Sequence, residues 1–304
     1  MTAAHRAFPA VAPRPAWPLC RRCSGIALDL GSARTRVWMV GRGRIIDVPT
    51  VTFPGAGVTR PIQRGTIIDT AGTARLLDRL LGHRLSRHAR PLVVLTAPVL
   101  GGVAYRAAAR EAVEVLRPRT VLTMPTARAV AYAAGVDLTR ALFVVDIGAH
   151  LTEVVLLAGG AVLDARRTAL GTTDLEAEPT AARLVDAVVA MVTSMLEQDP
   201  TSHALDALHR GVLLAGGGAL CPGVTYRLAG RLDTRVTAVP APHTAAVRGA
   251  ATLLRATRGH PESAALHPES THPADDPLPP TPDPIHDPAS GAPPEGGDGV
   301  GERE

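Results

Sequence analysis

The sequence predicts an α/β protein made of two similar lobes in tandem. Three observations carry that reading: a gapless internal repeat, alternating strand and helix patterns after each copy, and one glycine-rich strand-to-helix connection late in the chain. The repeat pairs residues 27–47 (ALDLGSARTRVWMVGRGRIID) with residues 144–164 (VVDIGAHLTEVVLLAGGAVLD). At a constant offset of 117 residues, Asp29 meets Asp146, Gly31 meets Gly148, Thr35 meets Thr152 and Asp47 meets Asp164. Each copy reads as an apolar strand ending in Asp-x-Gly, a tight turn, a second apolar strand, a glycine turn and a third strand. Identity at the turns and matched apolar positions favour duplication over a chance likeness of two hairpins.

The elements follow in order. Residues 1–23 carry Pro9, Pro13, Pro15 and Pro18 and form a flexible Pro-rich start. The first lobe spans 24–140. Its meander leads through a short link, 53–59, towards a continuous apolar run at 91–98 (PLVVLTAP), the pattern of a buried strand. A helix follows over 102–116, with Val103, Ala107, Ala108, Val113 and Leu116 at helical spacing. Residues 121–124 form a short strand and 126–134 a small-residue helix. The second lobe spans 141–243. A long helix over 175–196 puts Leu184, Val188, Met191, Val192 and Met195 on one face, and a loop runs on to Gly211. Then come a strand at 212–214, a helix at 224–232, a strand at 236–239, and a helix at 244–256 that closes the first lobe. Residues 257–304 form an acidic, Pro-rich, disordered tail.

Composition narrows the chemistry. All 32 basic residues of the 304 are arginine, and there is no asparagine. Without lysine no P-loop, protein-kinase site or Schiff base can be built. The net charge of +4 hides a split: residues 261–304 hold ten acidic residues and one arginine, against 18 acidic residues and 31 arginines before them. A basic body invites anionic partners, but its arginines are scattered without aromatic interleaving, which argues against nucleic acid. No apolar run reaches the roughly 18 residues of a membrane span, and the start is a poor signal peptide. The three cysteines give no disulfide framework, so the chain reads as cytoplasmic.

Glycine turns between strands expose backbone N–H groups that hold phosphate without lysine. Two such turns facing one another would grip a polyphosphate, with Asp29 and Asp146 placed to hold Mg²⁺ through water. The third element, residues 211–223 (GVLLAGGGALCPG), lets the backbone approach a flat ligand such as adenosine.

With these residues assembled, the chain resembles the actin/Hsp70/sugar-kinase ATPases, and within them the bacterial actin homologue MreB, over about residues 24–256. The first phosphate hairpin is similar to Asp29-Leu30-Gly31-Ser32-Ala33-Arg34-Thr35. The second is similar to Asp146-Ile147-Gly148-Ala149 through Thr152-Glu153-Val154, and the adenosine motif to Leu214-Ala215-Gly216-Gly217-Gly218-Ala219-Leu220. Connecting stretches fit as well: Val48-Pro49-Thr50-Val51, Arg60-Pro61-Ile62 with Gly65, and Pro242-His243-Thr244 with Val247-Arg248-Gly249. The resemblance implies a duplicated RNase H-like fold with a nucleotide cleft between the lobes. It assigns ATP to Asp29, Gly31, Ser32, Arg34, Thr35, Asp146, Gly148, Ala149, Gly216, Gly217, Gly218 and Ala219, and Mg²⁺ to Asp29 and Asp146.

Four departures qualify what it implies. Arg34 replaces an asparagine and is free to pair with phosphate or with Asp146. Ala149 and His150 replace part of a glycine run; both tolerate positive φ poorly, so a malformed second cradle is expected. Met124 stands where the family has the glutamate that positions the attacking water, and losing a general base costs about 10²–10⁴-fold in rate. No other carboxylate sits nearby in sequence, and only Glu153 is left open as a substitute. Finally, the short stretches 53–59 and 171–211 leave no room for the two small peripheral subdomains, which normally help enclose adenosine and make filament contacts.

The expected protein is a reduced MreB-like one that binds ATP and Mg²⁺ weakly, hydrolyses ATP slowly or not at all, and serves bacterial cell shape. Its partners would be MreB-type filaments or membrane proteins of cell-wall synthesis at the inner membrane face, with filament formation of its own disfavoured. Two rival readings stand beside it: a scaffold whose cleft, plugged by Arg34, His150 and Leu151, holds no nucleotide, and a small-molecule kinase or polyphosphate phosphatase of the same superfamily.

Overall fold

A computed structural model describes residues 24–53, 57–174 and 178–257. The expectations for residues 1–23 and for the tail beyond Thr257 lie outside the described residues.

The first meander is β1 (Gly25–Leu30), β2 (Arg34–Met39) and β3 (Ile45–Pro49), all antiparallel. A small hairpin, β4 (Ile62–Gln63) and β5 (Thr66–Ile67), precedes α1 (Thr70–Leu81). Then follow β6 (Leu92–Ala97), α2 (Gly102–Val113), β7 (Thr120–Pro125) and α3 (Thr126–Ala134). The first sheet has the order β3-β2-β1-β6-β7, with β6 parallel to both β1 and β7.

The second half repeats the plan. Its meander is β8 (Leu142–Ile147), β9 (Thr152–Ala158) and β10 (Ala161–Thr168). After it come α4 (Glu178–Gln198), α5 (His203–Arg210), β11 (Val212–Ala215), α6 (Pro222–Leu232), β12 (Val236–Ala238) and α7 (Ala245–Ala256). The second sheet runs β10-β9-β8-β11-β12, the same order with the same parallel centre. Even the cross-strand register repeats: Asp29 lies opposite Arg36, and Asp146 opposite Glu153.

Each sheet is covered on both faces, which is why β6 and β8 are apolar at nearly every position. On the outer face of the first sheet, Leu77, Leu81, Ala109 and Val113 of α1 and α2 pack on Leu28, Val93 and Leu95. On the outer face of the second, Leu184, Val188 and Met195 of α4 pack on Phe143, Val145 and Leu214. Between the sheets lie two helices. α7 packs Val247, Ala250 and Leu254 on Ala27 and Val94, while α3 packs Val130 and Ala131 on Leu142 and Val144. Their crossing is close: a Cβ on Gly249 would stand 1.7 Å from the carbonyl oxygen of Ala129. Any side chain there would force the layer apart.

Three elements lie where the sequence pattern predicts only connections. α1 is capped by Asp69, whose carboxylate accepts from Gly72 N at 2.6 Å. The β4–β5 hairpin has two residues per strand, too few for alternation to show. α5 fills the loop expected before Gly211, and its eight residues are too short for a periodic signal. The long helix is described over Glu178–Gln198; residues 175–177, where the sequence pattern begins it, lie outside the described residues. Neither the 52–59 connection, closed by a Thr52–Thr59 bridge, nor the 171–211 stretch carries an added subdomain among the described residues.

Candidate nucleotide cleft

The two Asp-x-Gly turns close in the same way. Gly31 N donates to the Arg34 carbonyl at 3.1 Å, and Gly148 N to the Leu151 carbonyl at 2.9 Å. Neither turn needs a left-handed residue: Gly31, Gly148, Ala149 and His150 all have negative φ. The malformed second cradle expected from Ala149 and His150 is therefore absent. The glycines serve close approach instead, since a Cβ would lie 2.7 Å from the Arg34 oxygen at Gly31 and 3.0 Å from the Leu151 oxygen at Gly148. Behind the second turn, Thr172 N and Thr173 N donate to the carbonyls of Gly148 and Ala149. The N–H groups of Ser32, Ala33 and Ala149 donate to no acceptor among the described residues. Donors left open on two facing turns suit an anion.

A cavity of about 280 Å³ lies between the turns. Asp29, Asp146 and Glu153 reach into it, with Gly31, Ser32, Ala33 and Arg34 along one side and Gly148, Ala149, Gly216 and Gly217 along the other. Gly216 has φ +79°, and a Cβ on it would meet the Ile147 carbonyl oxygen at 2.2 Å and Asp146 Oδ1 at 2.5 Å. Only glycine fits there.

The three carboxylates differ in their company. Asp29 accepts from Thr96 Oγ1 at 2.8 Å and pairs with Arg36 at 3.6 Å. Burial pushes its pKa up, and Arg36 and Thr96 pull it back. No hydrogen bond or ion pair holds the Asp146 carboxylate among the described residues. Burial, reinforced by the charges of Asp29 and Glu153, pushes it up to about 7. Glu153 reaches across to the 3-10 turn that follows β6, where its oxygens accept from Val99 N at 3.1 Å and Leu100 N at 3.0 Å. Burial raises its pKa as well, and those two donors oppose the rise. With two oxygens committed to backbone, Glu153 is a clasp between the lobes.

The remaining expected residues separate into those on the cleft and those beside it. Thr35 is fully buried and shares a 2.9 Å hydrogen bond with Thr50, which donates to the Gly31 carbonyl at 2.7 Å. It braces the first turn from behind. Gly218 packs against Ile147, and Ala219 joins the apolar layer under the second sheet, so neither lines the cavity. Arg34 edges the cavity, but its Nε donates to Asp47 Oδ1 at 2.6 Å. Pairing with Asp146, one of the two roles expected of it, does not occur. Met124 is 5% exposed and packs with Trp38, Val247 and Ala251, facing away from the cavity; Thr126, two residues on, lines it. Leu151 lines the wall, whereas His150 points outward.

The cavity is also lined by Arg36, Thr96 and Tyr105, which the sequence does not mark as site residues, and by His243, which it places only in a connecting stretch. Arg36 was within reach, because a turn closed at 31–34 puts residue 36 opposite residue 29 in the hairpin. Thr96 and Tyr105 depend on long-range pairing. Tyr105 donates its hydroxyl to the Leu30 carbonyl at 3.2 Å. Among the described residues, no group of three or more His, Cys, Asp or Glu side chains is arranged to hold a metal unaided, and no helix is long and apolar enough to cross a membrane.

Comparison with known proteins agrees with the architecture. Solved structures similar to this chain include MreB5 of Spiroplasma citri bound to ADP, at 15% identity and TM-score 0.68, covering 78% of this chain and 97% of that one. A MamK double helical filament matches at 18% identity and TM-score 0.64, covering 78% and 99%. EutJ of Carboxydothermus hydrogenoformans, an ethanolamine utilization protein, matches at 16% and 0.55, covering 75% and 89%. At such identities these likenesses show the actin-like fold alone. Among curated proteins no sequence matches. The sequence model of the MreB/Mbl protein family matches residues 52–178 and 172–261, more than half of the chain. This chain, whose described residues form two duplicated lobes with no added peripheral subdomain, belongs to the MreB/Mbl family.

Proposed function

We propose that the chain is a cytoskeletal actin homologue that binds ATP with Mg²⁺ between its lobes, weakly, and hydrolyses it slowly or not at all. The observation that carries the reading is the pair of matched turns with open N–H donors facing a cavity that holds under-compensated carboxylates. The polyphosphate would lie between Ser32-Ala33 and Ala149, the ion beside Asp146 and Asp29, and the adenosine over Gly216-Gly217. MreB5 of Spiroplasma citri, which shares the fold, has been solved with ADP and with AMPPNP. The cavity is slightly below the roughly 300 Å³ at which small-molecule sites begin. A whole nucleotide therefore requires the lobes to part, which lowers affinity. Slow turnover follows from Met124, which is buried in the core where the family places its water-positioning glutamate, and from Glu153, which is committed to Val99 and Leu100.

The cellular role in this reading is organisation of cell shape and wall, beside MreB-type filaments or wall-synthesis membrane proteins at the inner membrane face. MamK, which shares the fold, assembles as a double helical filament, so sedimentation with and without ATP belongs in the same experiment. One observation favours the scaffold reading: Arg36 already supplies a cation to Asp29 from within. Equilibrium binding of labelled ATP to the full chain, with and without Mg²⁺, decides between the two. Saturable Mg²⁺-dependent binding supports the nucleotide reading; none at millimolar nucleotide leaves the scaffold.

A further inference from the structure

A second cavity, about 600 Å³, adjoins the cleft where the β4–β5 hairpin meets the Gly148–Leu151 turn. Val58, Thr59, Arg60, Gln63, Arg64 and His150 line it. The first five come from the first lobe and His150 from the second. No acidic side chain is among them. The Arg60 side chain makes no hydrogen bond or ion pair among the described residues, and the N–H of His150 is likewise open.

The hairpin that presents these arginines is strained. β4 and β5 are joined by the two-residue loop Arg64-Gly65, with φ of +46° and +74°. That is a type I′ turn, which favours asparagine or glycine at its first position. Arginine there is held left-handed against its preference. Two contacts to the second lobe keep it so: Arg64 Nη1 donates to the Ala169 carbonyl at 2.5 Å, and Gly65 sits so close to Leu151 that a Cβ would meet its Cδ2 at 2.6 Å. Backbone strain of this kind persists where the surroundings impose it, and it concentrates at binding sites.

The geometry points to a second anion site, in which Arg60, Arg64, His150 and the His150 N–H bind a phosphate group. The shared chemistry is a phosphate monoester or inorganic phosphate: two guanidiniums and a backbone N–H suit a compact tetrahedral oxyanion. Because the arginines are exposed, salt screens the site and weakens binding. The surroundings agree, since Arg60 and Arg64, after burial, hold the His150 pKa below its ordinary value, and Asp174, the nearby acid, accepts from Gly171 N at 3.0 Å instead of filling the cavity.

The test is equilibrium dialysis of labelled inorganic phosphate against the full chain, without nucleotide or Mg²⁺, at low salt. Wild type binds saturably, Arg60→Ala weakens binding about tenfold or more, and Arg60→Lys retains most of it, while the urea midpoints of all three agree. Co-sedimentation with phosphatidic acid or phosphatidylcholine vesicles separates the sources. Arg60-dependent binding to phosphatidic acid that free phosphate displaces assigns the site to a lipid headgroup; binding of free phosphate alone assigns it to a soluble phosphate. No saturable phosphate binding, or binding that Arg60→Ala leaves unchanged, overturns the proposal. ATP binding in the cleft is scored separately in the same variants, so the cleft reading stands or falls apart from this one.

Discussion

Asp146→Asn should make the protein more stable at high pH and change little at low pH. In the folded chain the carboxylate is half-buried at the end of β8, has no bonded cation among the described residues, and has a pKa pushed up to about 7 from an ordinary value of 3.8, chiefly by desolvation. The folded state therefore keeps a proton that the unfolded chain has already released by pH 5. Below pH 4 both states are protonated and the group is neutral in its effect. Between about 4 and 7 the unfolded state binds fewer protons than the folded one, so stability falls as pH rises; above 7 the loss is complete. A displacement of about three units at 1.36 kcal/mol each sets the ceiling near 4 kcal/mol. Asparagine cannot ionise and removes this slope. Urea denaturation at pH 5, 6, 7 and 8 with a metal chelator present reads it directly. Wild type should lose at most about 2–3 kcal/mol between pH 5 and 8 by this group, and the variant should be flatter by the same amount. Parallel profiles would refute the argument, because they would mean that Asp146 ionises in the fold as freely as in water.

Three further outcomes follow from the cleft geometry. Gly216→Ala combines a left-handed φ with contacts of 2.2 Å and 2.5 Å to Ile147 O and Asp146 Oδ1; it should cost about 2–4 kcal/mol in chemical denaturation. Arg34→Ala removes a guanidinium that is 44% exposed and already committed to Asp47, so stability should change by less than about 1 kcal/mol and ATP affinity, by equilibrium binding, should stay where it was. Glu153→Gln turns one acceptor oxygen at Val99 and Leu100 into a donor, and amide hydrogen exchange should speed up at those two residues while exchange in β8 stays protected.

Much of this was legible because duplication doubles a weak signal. One Asp-x-Gly before a turn means little, whereas Asp29 and Asp146 in two matched meanders mark two like lobes, each with its own turn. Strand and helix limits followed periodicity, and Thr126–Ala134 coincides with its expected span. The losses have separate causes. α5 and the β4–β5 hairpin are too short for a period. The orientation of Arg34 depends on Asp47, thirteen residues away in the third strand. The placement of Gly218 and Ala219 under the sheet depends on the curl of a 3-10 turn at Gly217–Leu220, which a run of three glycines does not specify.

The largest difference between the two halves is a single cross-strand partner. Opposite Asp29 the hairpin places Arg36; opposite Asp146, at the same register, it places Glu153. The first aspartate is thereby compensated from within, by an ion pair and the Thr96 hydroxyl. The second faces the repulsion of Glu153 as well as burial, and it bears the larger consequence in its pKa. Two carboxylates read from the sequence as equivalent holders of an ion are thus unequal. If the proposed divalent cation enters the cleft, it gains little at Asp29, where it must compete with Arg36, and most at Asp146, which has no bonded cation among the described residues. One cross-strand difference thus gives Asp29 a cation from within the fold and leaves Asp146 beside a second carboxylate.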